Sequence, residues 1–312
     1  MKHLFVALAA GGLVATGFAH SAHASALGFA SANFQNVTIS RDDGSLFSQD
    51  SFSVLEGSTE YSATGSYNGD GITTFTDVLS FNQTNAFEAD IGAFSVSTSG
   101  GPDGGAYSGM SYMPPLPRTD GLSDQLVGSA SQLEGNVLRE DGANIRLNNV
   151  VSLPDPARGT ALGSVGLSSD FSFQVDEATE LRLTFDLDLV LRAFLGQDQQ
   201  TANSRFTFTF TLFDSVGNPI AFTFDDDNPF SLTNIQLTAN TETAGDGLLF
   251  DGSGSFGLTT AMLNPNETHR LGIGVQQITS GEWEQVPEPA SIALFGLGLL
   301  GLGIVMRRRA TF

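Results

Sequence analysis

The sequence predicts an all-β fold, an antiparallel β-sandwich with jelly-roll-like connections, set between an N-terminal signal helix and a C-terminal transmembrane helix. Three observations predict it. Leu181-Arg-Leu183-Thr-Phe185-Asp-Leu187-Asp-Leu189 and Phe206-Thr-Phe208-Thr-Phe210-Thr-Leu212 alternate apolar with polar side chains, the period of a half-buried strand. No stretch of the body carries a long run at helical spacing; the nearest, 122–138, is interrupted by Gly128 and Gly135. Short apolar runs are separated throughout by Gly, Asn, Asp, Ser and Pro, the punctuation of sandwich turns.

Taken in order, the chain opens with Lys2 and His3 ahead of an apolar stretch at 4–19. Ala22-His23-Ala24 and Ala24-Ser25-Ala26 both fit the small-x-small pattern cut by signal peptidase, so residues 1–26 read as a secretory signal peptide with Ala22, Ala24 and Ala26 marking the cleavage region. Strands are expected at 37–40, 73–81, 94–98, 171–175, 181–189 and 205–212. Asp214-Ser-Val-Gly217-Asn218-Pro219 offers turn chemistry before Ile220-Ala-Phe222-Thr-Phe224, which predicts a hairpin. Further strands are expected at 235–238, 255–258 and 269–275. The Gly- and Pro-rich stretch 99–120 is a candidate boundary, leaving open one sandwich over 27–286 or a subdivision near 100–165. The stretch 197–204, small and polar except for Ala202, reads as a long surface loop.

The chain closes with Pro287-Glu288-Pro289, an apolar run of seventeen residues at 290–306, and Arg307-Arg308-Arg309. A stiff segment hostile to helix comes first, then a stretch able to span roughly 25 Å as a helix, the lower edge of what a bilayer core of about 30 Å needs. Three positive charges then fix that end on the cytoplasmic side, as Lys2 does for the N-terminus, which puts residues 27–286 on the far side of the membrane. Together the two ends resemble the PEP-CTERM proteins of Gram-negative bacteria. The resemblance implies that a membrane protease-transpeptidase, exosortase, reads and processes the tail, with Pro287, Glu288, Pro289, Arg307, Arg308 and Arg309 as the sorting signal. It further implies transient inner-membrane anchoring, then the cell surface or extracellular matrix, in association with biofilm and exopolysaccharide. Within the body, 170–275 resembles bacterial accessory β-sandwich modules of the pre-peptidase C-terminal type, which bind or space and do not catalyse.

Composition narrows the function classes. Between the end segments lie 33 acidic residues, all 34 of the chain except Glu288, against nine arginines, a net of about −24. Such a field repels nucleic acid and anionic lipid heads, so a nucleic-acid partner is excluded. Cysteine is absent and Lys2 is the sole lysine, so no disulfide framework, thiol nucleophile or Schiff base exists in the body. His269 is the one histidine left after the signal peptide, expected on a surface or edge strand, and zinc or copper sites of several His or Cys fail on the counts. Asp225, Asp226, Asp227 and Asn228, at the end of an expected strand, form the candidate oxygen-ligand site for Ca²⁺, with a solvated turn as the plainer account. Asp186 and Asp188, two apart on one strand face, read as a solvent-facing surface. The expectation is an exported non-enzymatic envelope or matrix protein with no cofactor, processed by signal peptidase and exosortase and held to the membrane by its C-terminal helix until cut. The alternatives are a Ca²⁺-dependent adhesion or carbohydrate-binding module and a carboxylate-dependent polysaccharide hydrolase or lyase.

Overall fold

The computed structural model describes residues 26–67, 70–83, 85–87, 94–100, 126–153, 159–195, 200–225, 230, 232, 234–239 and 247–283. The signal helix, the C-terminal helix and the sorting motif lie outside them.

Among the described residues, thirteen strands form two antiparallel sheets: β1 (Ala26–Arg41), β2 (Phe52–Tyr67), β3 (Asp70–Asn82), β4 (Phe94–Gly100), β5 (Leu126–Gly135), β6 (Ala143–Leu153), β7 (Gly159–Val175), β8 (Leu181–Leu195), β9 (Gln200–Phe213), β10 (Phe222–Phe224), β11 (Ile235–Ala239), β12 (Leu248–Thr260) and β13 (His269–Trp283). A 3-10 turn, Gln49–Ser51, precedes β2. The seven-stranded sheet runs β10-β12-β8-β1-β6-β5-β4 and the six-stranded sheet β11-β9-β13-β7-β2-β3. From β6 to β13 every connection passes from one sheet to the other. Strands from either side of the 101–125 stretch share both sheets: β1 lies between β6 and β8, and β2 between β3 and β7.

The alternation of β8 is the packing plan of one wall. Leu181, Leu183, Phe185, Leu187, Leu189 and Leu191 are all buried, while Asp188 between them is exposed. Opposite, β9 contributes Phe206, Phe208, Phe210 and Leu212. Phenylalanine fills the wide part of the sandwich: Phe185 meets Phe34, Phe208 and Phe256 at ring-centroid distances of 5.3, 5.4 and 5.4 Å. Tilted and offset rings of this kind pack densely without face-to-face quadrupole repulsion.

The other end of the sandwich is thin. Its core holds Ala26, Ala161, Ala193, Ala202 and Ala239 with Leu153 and Leu195, and the sheets approach so closely that polar side chains cross between them. Asn149 of β6, fully buried, donates from Nδ2 to the carbonyls of Gly163 (2.8 Å) and Gln277 (3.3 Å) in the opposite sheet and accepts from Ser129 at 2.8 Å. A side chain at Gly163 would land on Asn149 Oδ1, so this glycine is demanded by close approach.

Three expectations change on this description. The stretch 197–204 is not all loop, because residues 200–204 belong to β9 and Ala202 and Ser204 are buried where the sheets close together. The turn after β9 forms as expected, with Asp214 accepting from the amides of Val216 and Asn218, but the hairpin does not continue. Ile220 still bonds Leu212, then Phe222–Phe224 crosses to pair with β12 in the other sheet. His269 is neither on the surface nor on an edge strand: it is 1% exposed, and β13 has β7 and β9 on its two sides. Its ring lies 5.5 Å from that of Phe173, with Nε2 at 3.2 Å from the Asn264 carbonyl, which makes it a packed core residue.

Candidate functional site

A polar corner with a shallow cavity and one larger concavity hold the groups on which chemistry or recognition could rest. The corner is built on a β-bulge. The register of β1 slips between Phe34 and Val37 against β6 and between Gln35 and Thr38 against β8, and Asn36 adopts φ 54°, a left-handed conformation that asparagine tolerates better than most residues. The slip keeps Phe34 and Val37 both in the core and turns Asn36 outward over β8. There Asn36 Nδ2 donates to Asp186 Oδ2 at 2.8 Å, while Ser255 Oγ of β12 donates to Asp186 Oδ1 at 2.6 Å. These two donors, Ser255 first, hold the Asp186 carboxyl below the usual carboxylate range.

One turn of pleat away, Arg182 Nη2 meets Asp225 Oδ2 at 2.7 Å, both side chains about one-third exposed. The pair lies across Gly257, where any side chain would collide with the Asp225 carboxylate and the guanidinium. Asn36, Arg182, Asp186, Asp225 and Ser255 line a shallow cavity of about 300 Å³. Each acid in it is matched: Asp225 by a cation, Asp186 by two neutral donors. Of the four residues of the expected Ca²⁺ site, Asp225 is therefore engaged by Arg182, and Asp226, Asp227 and Asn228 lie outside the described residues. No group of three or more His, Cys, Asp or Glu among the described residues is placed to hold a metal ion.

Two further acids, Asp43 and Asp214, are turn residues. Asp43 accepts from the Ser45 amide at 2.9 Å, and Asp214 caps its loop through Val216 and Asn218; the hydrogen bonds lower both carboxyls, led by Ser45 for the first and Asn218 for the second. Asp188 is exposed, as expected, with Gln35 Nε2 at 3.5 Å.

The larger concavity, about 330 Å³, crosses the outer face of the six-stranded sheet. Its floor is Gly166 of β7 and Gly274 of β13, which face outward where neighbouring rows carry side chains. Its walls are Ser62, Ser168, Thr207, Thr209 and Gln276, with Glu60 at one side. The Thr209 hydroxyl leans over Gly274 and donates to its carbonyl at 3.3 Å, so a side chain at Gly274 would displace it. Sequence reading saw the outward threonines of β9 as the polar half of an alternation. It missed the trough, because only the cross-strand register brings Gly166, Gly274 and the hydroxyls into one row.

Of the cleavage positions, Ala22 and Ala24 lie outside the described residues. Ala26 opens β1, fully buried and paired with Leu153 on one side and Leu195 on the other.

Comparison with known proteins gives one match. Residues 285–309 fit the family described as the PEP-CTERM protein-sorting motif, beginning two positions past the last residue of β13. No curated protein and no solved structure matches the chain. The tail is thus an export-linked sorting signal with a C-terminal membrane anchor.

Proposed function

We propose that this chain, which carries a PEP-CTERM sorting motif at its C-terminus, is an exported, non-enzymatic β-sandwich protein of the cell envelope or extracellular matrix. Signal peptidase removes the leader, the tail halts in the inner membrane, and an exosortase-type enzyme cuts it and passes the body outward. The observation that carries this is the match at 285–309, reinforced by a signal-peptide pattern at the opposite end. The non-enzymatic reading draws support from the inventory of the body, which has one buried histidine, no cysteine and no lysine, and from the partners that engage Asp186 and Asp225.

Association with exopolysaccharide is the finer part of the proposal. The face best suited to it is the trough over Gly166 and Gly274, where hydroxyls and an amide offer both donors and acceptors to sugar hydroxyls and two glycines leave the floor without side chains. The test of sorting is expression of the whole chain in a host with and without its exosortase, followed by mass spectrometry of the product. Loss of the tail only in the enzyme's presence is expected, and an intact tail in both hosts overturns it. Affinity electrophoresis of the purified body in gels cast with host exopolysaccharide tests the finer part. Retardation that Thr207→Val with Thr209→Val weakens is expected, and unretarded migration in every gel refutes it.

A further inference from the structure

The two ends of the described body leave the sandwich side by side. Ala26 begins β1 in the middle of the seven-stranded sheet, and Trp283 ends β13 in the middle of the six-stranded one. They face each other across the interior: a Cβ placed on Gly281 would stand 3.6 Å from the Cβ of Ala26. Both signals that engage a membrane therefore hang from one end of the fold, the thin end pinned by Asn149.

The tether at that end is short and starts from a fixed point. Trp283 is paired to Gly159 on one side and Gln200 on the other, so the sheet holds the chain up to its last described residue. Only residues 284–286 separate Trp283 from Pro287, at most about 14 Å of fully extended chain, and Ala290 is reached within about 24 Å. Headgroups occupy roughly 6 Å of that distance. The layer left between the folded end and the membrane surface is under about 20 Å, whereas even a small folded domain is about 30 Å across.

We infer that the end of the sandwich bearing Ala26 and Trp283 faces the bilayer before processing, and that the enzyme cutting the tail works in steric contact with this end. The inference rests on the sorting reading above and adds the interaction surface and orientation to it. The body forms one wall of the gap in which Pro287-Glu288-Pro289 must be gripped, so tether length limits the rate of cutting. After cutting, nothing in the tether keeps the acidic body against an anionic leaflet.

The experiment uses the full chain, whose lack of cysteine makes single-cysteine labelling clean. Glu282→Cys places a thiol on the exposed side of β13 near the membrane end, and Val216→Cys places one at the opposite end, at a position 83% exposed. In spheroplasts lacking exosortase, a bulky membrane-impermeant maleimide should label Val216→Cys about tenfold faster than Glu282→Cys, with six Gly/Ser residues inserted between Trp283 and Glu284 restoring Glu282→Cys by adding up to about 20 Å of reach. With exosortase present, the same insertion should speed tail removal about threefold or more, a modest lowering of the barrier. Equal labelling of the two cysteines at native tether length, or a cutting rate unmoved by the spacer, overturns the inference. Failure of the sorting reading itself looks different: the chain then fractionates as soluble protein with its tail intact.

Discussion

The Asn149 pin allows a quantitative test of how closely the sheets approach at the thin end. Asn149→Ala removes two donated hydrogen bonds and the acceptor for Ser129, each worth about 1 kcal/mol net, and leaves buried carbonyl and hydroxyl groups less satisfied, for a loss of about 2–4 kcal/mol. Gly163→Ala drives a methyl into the same amide oxygen, with Thr279 Oγ1 at 3.2 Å leaving it little room to shift, and overpacking of that kind costs about 1–3 kcal/mol. The two losses share one cause, so the double variant should be less destabilised than the sum, with a coupling of about 1–2 kcal/mol, because the shortened side chain vacates the space the new methyl needs. Urea unfolding of the purified body, followed by tryptophan fluorescence and far-ultraviolet circular dichroism, gives the four free energies of the cycle. Additivity within about 0.5 kcal/mol would refute the claim that Gly163 is glycine because Asn149 reaches across to it.

Other outcomes follow from the same geometry. Ca²⁺ at millimolar concentration, or its removal with chelator, should leave the melting temperature of the body unchanged, since Asp225 is engaged by Arg182; a clear rise with Ca²⁺ would show that the acidic stretch after β10 takes a metal. Asp43, Asp186 and Asp214 have folded-state pKa values below the ordinary 3.8, so what they add to stability is complete above that value and is lost as pH falls through their lower folded values. Asp214→Asn should accordingly flatten the decline in melting temperature between about pH 5 and pH 2, and an identical decline in both proteins would contradict that. Because Ala26 is buried and paired on both sides, the mature protein should begin at Ser25, after Ala24; a mass corresponding to a start at Leu27 would show that the first residue of β1 is dispensable.

Strands β8 and β9 were legible because each has one apolar face and one polar face, and a period of two survives in the letters. Strand β6 was not, since residues 147–153 are buried without interruption and no polar face reports the pleat. Strand β5, Leu-Val-Gly-Ser-Ala-Ser-Gln-Leu-Glu-Gly, resembled a broken helix because two of its inward positions, between Val127 and Leu133, are serines, of which Ser129 serves the Asn149 pin. The start of β9 was taken for loop for a related reason: close sheets accept only small side chains, and Ala202 and Ser204 look like linker residues when their surroundings are unknown. The turn at 214–219 could be read locally, but its partner could not, since pairing of β10 with β12 is decided some 35 residues further on. In the polar corner, the acids were visible and their partners were not. Asn36 reaches Asp186 across 150 positions, through a bulge that leaves no signature beyond an asparagine.

The placement of β1 and β13 bears on the timing of export. The first strand to arrive lies between two strands that come more than a hundred residues later, and the last strand forms the spine of the other sheet. The seven-stranded sheet cannot assemble around its middle until β8 has crossed, nor the six-stranded sheet around its spine until β13 has. Closure of the sandwich therefore waits for a strand that ends only seven positions before the apolar run at 290–306.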